Sequence, residues 1–316
     1  MTSAAPDERA IADLAARIFP RAARPLVERV AEGVSTYVYR LHLADETYYL
    51  RVLPEANASF APEVYAHQRL REQGVMVPEV IYFEHCHEPF ERSAMVTTEI
   101  PGTSLASCRD AQMQRDVFRQ AGRDLAVINS LPVQGFGWVQ RDKSTIPYLE
   151  AEHASSRAFL CEYLERDLAA LAAAHALQRE TLVLIRRILH DYDAWVDSEQ
   201  AWLAHGDFDT THIYQEAGRY TGIIDFGEIR GADAFYDLGH FSMHDGETFP
   251  SNLLPWLLEG YQEKTPMPDG SRQRIAFASL LIGIRTLSRA LQKRPESLAT
   301  HHALQSIPRD VHRLLS

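Results

Sequence analysis

The chain has 316 residues, 46% of them apolar and 24% charged, with a formal charge of −11 at neutral pH. That length buries a sizeable core, as one large domain or two lobes, and the composition is ordinary for a globular protein. The negative balance argues against a nonspecific nucleic-acid binder; it suits a cationic ligand, or serves solubility alone.

In chain order, the N-terminal stretch mixes Asp7, Glu8 and Asp13 with arginines, which is not a signal or transit pattern. Over residues 7–19, Ile11, Leu14, Ala15 and Ile18 recur at helical spacing. From residue 26 to 54 the pattern turns β-rich in short runs, with Val38, Leu41, Leu43, Leu50 and Val52 among its apolar positions, broken by Gly33 and by Asp45-Glu46. Pro62 introduces a helix over 63–73 that stops at Gly74. Residues 80–83 and 93–98 read as two more strands around a polar turn, so a sheet of about five strands crossed by one helix forms a compact first lobe. After Ile100-Pro101-Gly102 the chain is mostly helical, with helices expected over 110–129, 153–172, 179–196, 234–244, 251–263, 272–292 and 296–312. Residues 131–148, with Pro132, Gly135, Gly137 and Pro147, read as an irregular insertion.

Cys86, Cys108 and Cys161 have no metal-type spacing, and their odd number points to free thiols in a reducing cytosol. No run approaches about eighteen uninterrupted apolar residues. The expectation is a cytoplasmic protein without membrane or nucleic-acid partners. Lysine occurs only at Lys143, Lys264 and Lys293.

The one β-rich island in the helical half, residues 203–237, carries the chemistry. It sets Asp207 in His205-Gly206-Asp207, a potential metal ligand five residues on at His212, and a second carboxylate in Asp225-Phe226-Gly227. Phosphoryl transfer needs these parts: a carboxylate to orient an acceptor hydroxyl, and separate groups to hold the metal that neutralises the phosphates. The alternation over 219–224 suggests a strand that ends at Asp225. A zinc site built on His240 and His244 is the rival reading, but HExxH needs Glu at 241, where Phe241 stands.

These triplets, with Asp233 and Asp237 in a D-x3-D spacing, resemble the catalytic core of the aminoglycoside phosphotransferases and their kinase-like relatives. The resemblance implies an α+β, protein-kinase-like fold of two lobes, a small β-rich N-lobe (1–98) and a larger helical C-lobe (99–316). It implies Asp207 as the catalytic carboxylate, Asp225 as a metal ligand and Asp237 as a brace for the loop. His212 replaces the commoner Asn, as in macrolide phosphotransferases, and either contacts metal or braces the loop; imidazole suits softer metals than Mg²⁺. Ser35 and Thr36 lie where a phosphate-covering loop sits. Arg51 stands where the family offers a strand lysine, and Glu63 matches its helix partner; the alternative for Arg51 is a sheet-edge arginine reaching water. Thr97, Thr98, Glu99 and Ile100 match the hinge whose backbone binds the base. ATP or GTP with Mg²⁺, or Mn²⁺, is therefore the implied cofactor set.

The acceptor is expected to be a small molecule, with Asp209, Glu228, Glu162 and Asp167 near its site. Those carboxylates favour an aminoglycoside, and acidic residues at Glu165 and in Asp245-Gly246-Glu247 add to the candidate walls. Trp138, Tyr148, Phe159 and Tyr163 favour a macrolide or belong to the core. Gly135-Phe136-Gly137 and Pro78-Glu79-Val80 also look similar to hygromycin phosphotransferases. A small-metabolite kinase is a further alternative, and a catalytically silent nucleotide-binding relative is the reading of another class, resting on Arg51 and His212. The oligomeric expectation is a monomer or homodimer.

Overall fold

The computed structural model describes residues 5–20, 25–30, 36–44, 46–108, 114–246, 252–293 and 296–316. Ser35 and Glu247 lie outside the described residues. The fold is mixed α+β and divides into two compact units: Met1–Gly102 with Gln140–Leu149 and Thr221–Gly227, and Thr103–Val139 with Glu150–Tyr220 and Glu228–Ser316.

The first unit begins with helix α1 (Glu8–Ile18), capped by Asp7, whose carboxylate accepts from the N–H groups of Arg9 and Ala10. Strands β1 (Leu26–Val30), β2 (Tyr37–Leu43) and β3 (Glu46–Val52) follow, then helix α2 (Ala61–Glu72) and strands β4 (Val80–His87) and β5 (Arg92–Thr98). They form one antiparallel sheet in the order β1-β2-β3-β5-β4. Alternation in β2 and β3 turns Leu41, Leu50 and Val52 to one face, where Ile11, Leu14 and Ala15 of α1 cover them. Each such side chain contributes about 1.5–3 kcal/mol by leaving water. Leu53, Phe60, Val64 and Met95 fill a second, smaller core. The polar turn expected over 85–92 is shorter than that, because β4 runs on to His87.

The second unit holds β6 (Thr103–Ser104), α3 (Arg115–Ile128), β7 (Pro132–Gln134), β8 (Phe136–Val139), β9 (Leu149–His153), α4 (Ser156–Cys161), α5 (Leu164–Ala173), α6 (Arg179–Asp191), β10 (Ala201–Ala204) and β11 (Ile213–Glu216). After β12 (Arg219–Ile223), whose last residues belong to the first unit, come β13 (Arg230–Ala232), α7 (Tyr236–His244), α8 (Leu254–Gln262), α9 (Ser271–Lys293) and α10 (Leu298–Leu315). Two expectations need correction here. The stretch read as irregular, 131–148, contains β7 and β8, which close a five-stranded sheet in the order β10-β13-β8-β9-β7. Its strands are three to five residues long and broken by Gly135 at φ 84° and Gly137 at φ 87°, so they leave no alternation to read. The single helix expected over 153–172 starts later, where the Ser155 hydroxyl caps α4, and is two, interrupted by a turn at Glu162 and Tyr163 before α5.

α5, α6, α9 and α10 share a core that includes Leu168, Ile185, Ile188, Leu280, Ile284, Leu287 and Ile307. By length and composition α9 is apolar enough to cross a membrane, but more than half of its apolar stretch is buried inside the unit. It is the central helix of this core.

Candidate active site

In the second unit the chain leaves β10 at Ala204 and turns sharply through His205, Gly206 and Asp207. Gly206 has φ +88°, and a Cβ there would lie 1.9 Å from the Glu228 carbonyl oxygen, so only glycine fits. Asp237, fully buried, grips the turn: its carboxylate accepts from His205 N–H (2.8 Å), Gly206 N–H (2.9 Å) and Asn129 Nδ2 (2.8 Å). Asp207 is thereby presented with its carboxylate 44% exposed.

Two histidines flank it. His212 Nδ1 lies 2.6 Å from the Asp207 carbonyl. A carbonyl only accepts, so Nδ1 carries the proton and the ring's basic nitrogen is Nε2. His240 likewise donates from Nδ1 to the Phe208 carbonyl (3.2 Å) and sets Nε2 3.4 Å from Asp207 Oδ1. Burial, reinforced by neighbouring His244, pulls the His240 pKa down to about 4, against the attraction of Asp207 and Asp209. His240 is therefore neutral near pH 7, and its lone pair and the carboxylate oxygen converge as two acceptors on one spot. A hydroxyl donor is the group such a spot receives.

Asp207 opens on a cavity of about 310 Å³, also walled by Trp138, Tyr163, Glu162, Glu228 and Arg230. Arg230 lies over the Trp138 ring at 4.2 Å and pairs with Glu228 at 3.2 Å. Glu162 stands 3.5 Å from His153 Nε2. Asp167 also borders the cavity, but it is 2% exposed and its oxygens take Arg285 Nη1 at 2.9 Å and Ser288 Oγ at 2.9 Å. Asp209 borders a different, smaller hollow with His244 and Asp245. It accepts from Thr211 N–H and Oγ1. Burial works to raise its pKa, yet His212, the Thr211 bonds and His244 outweigh that and hold it below the usual carboxylate range.

The first unit carries a separate cluster. Arg51 on β3 lies over the Phe60 ring and reaches Glu63 of α2, Nη1 to Oε2, at 2.5 Å. Glu63 is fully buried, and its other oxygen stands 3.1 Å from Arg141. Arg141 also donates to the Gly227 carbonyl, and Arg51 Nη2 lies 3.8 Å from Asp225 Oδ1. Burial opposes the charge on Arg51, but Glu63 and then Asp225 outweigh it and hold the guanidinium pKa above its ordinary value. One buried carboxylate thus fixes two arginines beside the Asp225 turn, where Asp225 adopts φ +65°. Arg141 has no motif or periodicity around it to betray this place.

Thr36 is buried just before β2. At the end of β5, Thr97 is buried, Thr98 N–H donates to the Glu79 carbonyl and Glu99 N–H to the Thr47 carbonyl, while Tyr49 donates to the Glu99 carboxylate. Ile100 follows and lies beside Gly222.

A model of the phosphotransferase enzyme family matches residues 26–275. The chain belongs to that family. Its members transfer a phosphoryl group to a hydroxyl, a reaction for which a carboxylate placed like that of Asp207 is suited. No curated protein matches the chain. Among solved structures, aminoglycoside phosphotransferase APH(4)-Ia is similar in fold, with TM-score 0.67 and 16% identity over 97% of this chain and 99% of that one. A putative fructosamine-3-kinase from Thermobifida fusca YX-ER1 gives TM-score 0.62 and 20% identity over 95% and 98%. Macrolide 2'-phosphotransferase MphH from Brachybacterium faecium gives 0.59 and 16% over 94% and 97%. A thermostable mutant of APH(4)-Ia has been solved with ADP and hygromycin B.

A phosphotransferase of this family implies a divalent metal. Asp225 fits one: its carboxylate is about half exposed, a hard oxygen donor, partly balanced by Arg51. His212, with Nδ1 fixed by a carbonyl, fits a softer ion through Nε2. Among the described residues no group of three or more His, Cys, Asp or Glu side chains forms a cage. A single carboxylate such as Asp225 suits a metal that keeps phosphate oxygens and waters as its other ligands.

Proposed function

We propose that the chain transfers the γ-phosphoryl group of ATP to a hydroxyl of a small, amine-bearing, sugar-like molecule, the chemistry that aminoglycosides represent. The observation that carries this reading is Asp207, held by a buried aspartate at the wall of a cavity that also presents Glu162 and Glu228. Asp207, with the neutral His240 beside it, receives the acceptor hydroxyl's proton and aims its oxygen at phosphorus. Because the transition state is loose, most of that contribution is positioning.

On the nucleotide side, Arg51 fixed by Glu63 binds phosphate oxygens, and Thr36 contributes to covering them. The segment of Thr97, Thr98, Glu99 and Ile100 binds the base through its backbone. ATP is favoured over GTP because the APH(4)-Ia complexes hold adenine nucleotides. Asp225, with His212, would hold Mg²⁺ or Mn²⁺, which supplies neutralisation of the phosphate charge. Three free cysteines agree with a reducing, cytosolic setting.

The test is mass spectrometry of kanamycin, hygromycin B, erythromycin and simple amino alcohols incubated with enzyme, ATP and Mg²⁺. One added phosphate on an amine-bearing polyol is expected, and none with Asp207→Ala, which should still bind ATP. Wild-type turnover by that variant would remove Asp207 from its role. Transfer to erythromycin alone would replace the acceptor class.

A further inference from the structure

The cavity is not uniformly acidic. On the side formed by α5 and α9, one carboxylate, Asp167, serves more than one guanidinium. Arg285 Nη1 reaches its oxygens at 3.2 and 2.9 Å, and Arg166 Nη2 stands 3.7 Å away. The Tyr163 ring is flanked by both arginines, Arg285 at 4.0 Å and Arg166 at 4.4 Å from its centroid. Ser288 anchors Asp167 from behind. One helical turn beyond Arg285, Arg289 lines the same cavity, and among the described residues no carboxylate pairs with it. Two guanidiniums therefore share one carboxylate here, and a third, Arg289, has none. An exposed arginine alone signifies nothing. Here one arginine is fixed by the buried Asp167–Ser288 pair and the half-buried Tyr163 ring, and a second, unpaired one stands beside it.

We propose that this wall binds a carboxylate of the acceptor, so that the molecule phosphorylated carries both an amine and an acid. This rests on the kinase reading above and narrows it. Glu228 is already matched by Arg230. Glu162 remains to face an ammonium, Asp207 the hydroxyl, and Arg289 with Arg285 an oxyanion in the fork geometry that carboxylates prefer. A polycation such as kanamycin would meet those two guanidiniums with like charge. The same two arginines could receive the transferred phosphate instead, and the experiment separates these sources of negative charge.

The experiment measures kcat and KM for ATP-dependent phosphorylation of glucosaminic acid and homoserine, each beside its carboxamide, with kanamycin in parallel. The acids are expected to exceed their amides in kcat/KM by about ten-fold or more. Arg289→Gln should bring that ratio toward one, mainly through KM of the acid, while Arg289→Lys keeps most of it. Equal use of acid and amide, or an equal effect of Arg289→Gln on both, would overturn the carboxylate assignment and leave phosphate binding as the role of this wall. Phosphorylation of kanamycin but of neither acid would overturn this inference alone. No transfer to any compound would overturn the kinase reading with it.

Discussion

Asp237 shows how much of a catalytic residue's placement depends on a side chain that never touches substrate. Its two oxygens collect three N–H donors, from His205, Gly206 and Asn129, in a site closed to water. Removing the carboxylate strands those donors, and each buried donor left unmet costs about 1–3 kcal/mol. Asp237→Ala is therefore expected to lower stability by roughly 3 kcal/mol or more and to reduce kcat, because the turn presenting Asp207 loses its anchor. Denaturant unfolding beside steady-state kinetics checks this; a stable, fully active variant would show that Gly206 and the Glu228 backbone hold the turn unaided. The brace was legible from the D-x3-D spacing and the family resemblance. Asn129 was not, because a lone Asn at a helix end reads as a cap.

Among elements, β3, α2 and the segment after β8 meet at Glu63. A cation between apolar strand positions could be expected to be paired, and the family resemblance implied Glu63 as its partner. Arg141 could not, because its segment read as irregular and its role depends on a sheet whose strands are too short to show a period. The second arginine changes the expected energetics. Arg51→Ala leaves Glu63 compensated by Arg141, whereas Glu63→Ala leaves two confined guanidiniums with only the half-exposed Asp225 carboxylate near one of them. Glu63→Ala should be the more damaging substitution, both to ATP use and to unfolding. The Arg51/Glu63 double variant should cost less than the two single effects added, by about 0.5–3 kcal/mol. A thermodynamic cycle on purified variants measures this, and strict additivity would mean that the two side chains act independently.

Across the whole molecule, sequence periodicity exposed long elements and hid short ones. The five-stranded sheet of the first unit and the long α9 follow from alternation and helical spacing over many residues, whereas β7, β8 and β10 are three or four residues each. Mixed charge in the cavity was hidden for a related reason, since Arg285 meets Asp167, and Arg289 lines the same cavity, only through the packing of α9 on α5.

Titration behaviour also emerges only from the packed structure, and it sets a dependence of stability on pH. His240 ordinarily titrates near 6.5, but burial and the neighbouring His244 take it down to about 4 in the fold. Between those values the unfolded chain binds a proton that the folded chain refuses. This contribution is complete above pH 6.5 and is lost as pH falls toward 4. Asp209, held low, adds loss in the same direction at lower pH, while Asp233 and Asp245, raised by burial, work the opposite way. The net slope of the wild type therefore mixes signs, and comparison with His240→Asn isolates one group. Wild type should lose more unfolding free energy than this variant between pH 7 and pH 4.5, by an amount on the order of 2 kcal/mol. Parallel urea-midpoint curves for the two proteins over that range would show that His240 accepts a proton in the fold as readily as in the unfolded chain, and the neutral imidazole beside Asp207 would have to be abandoned.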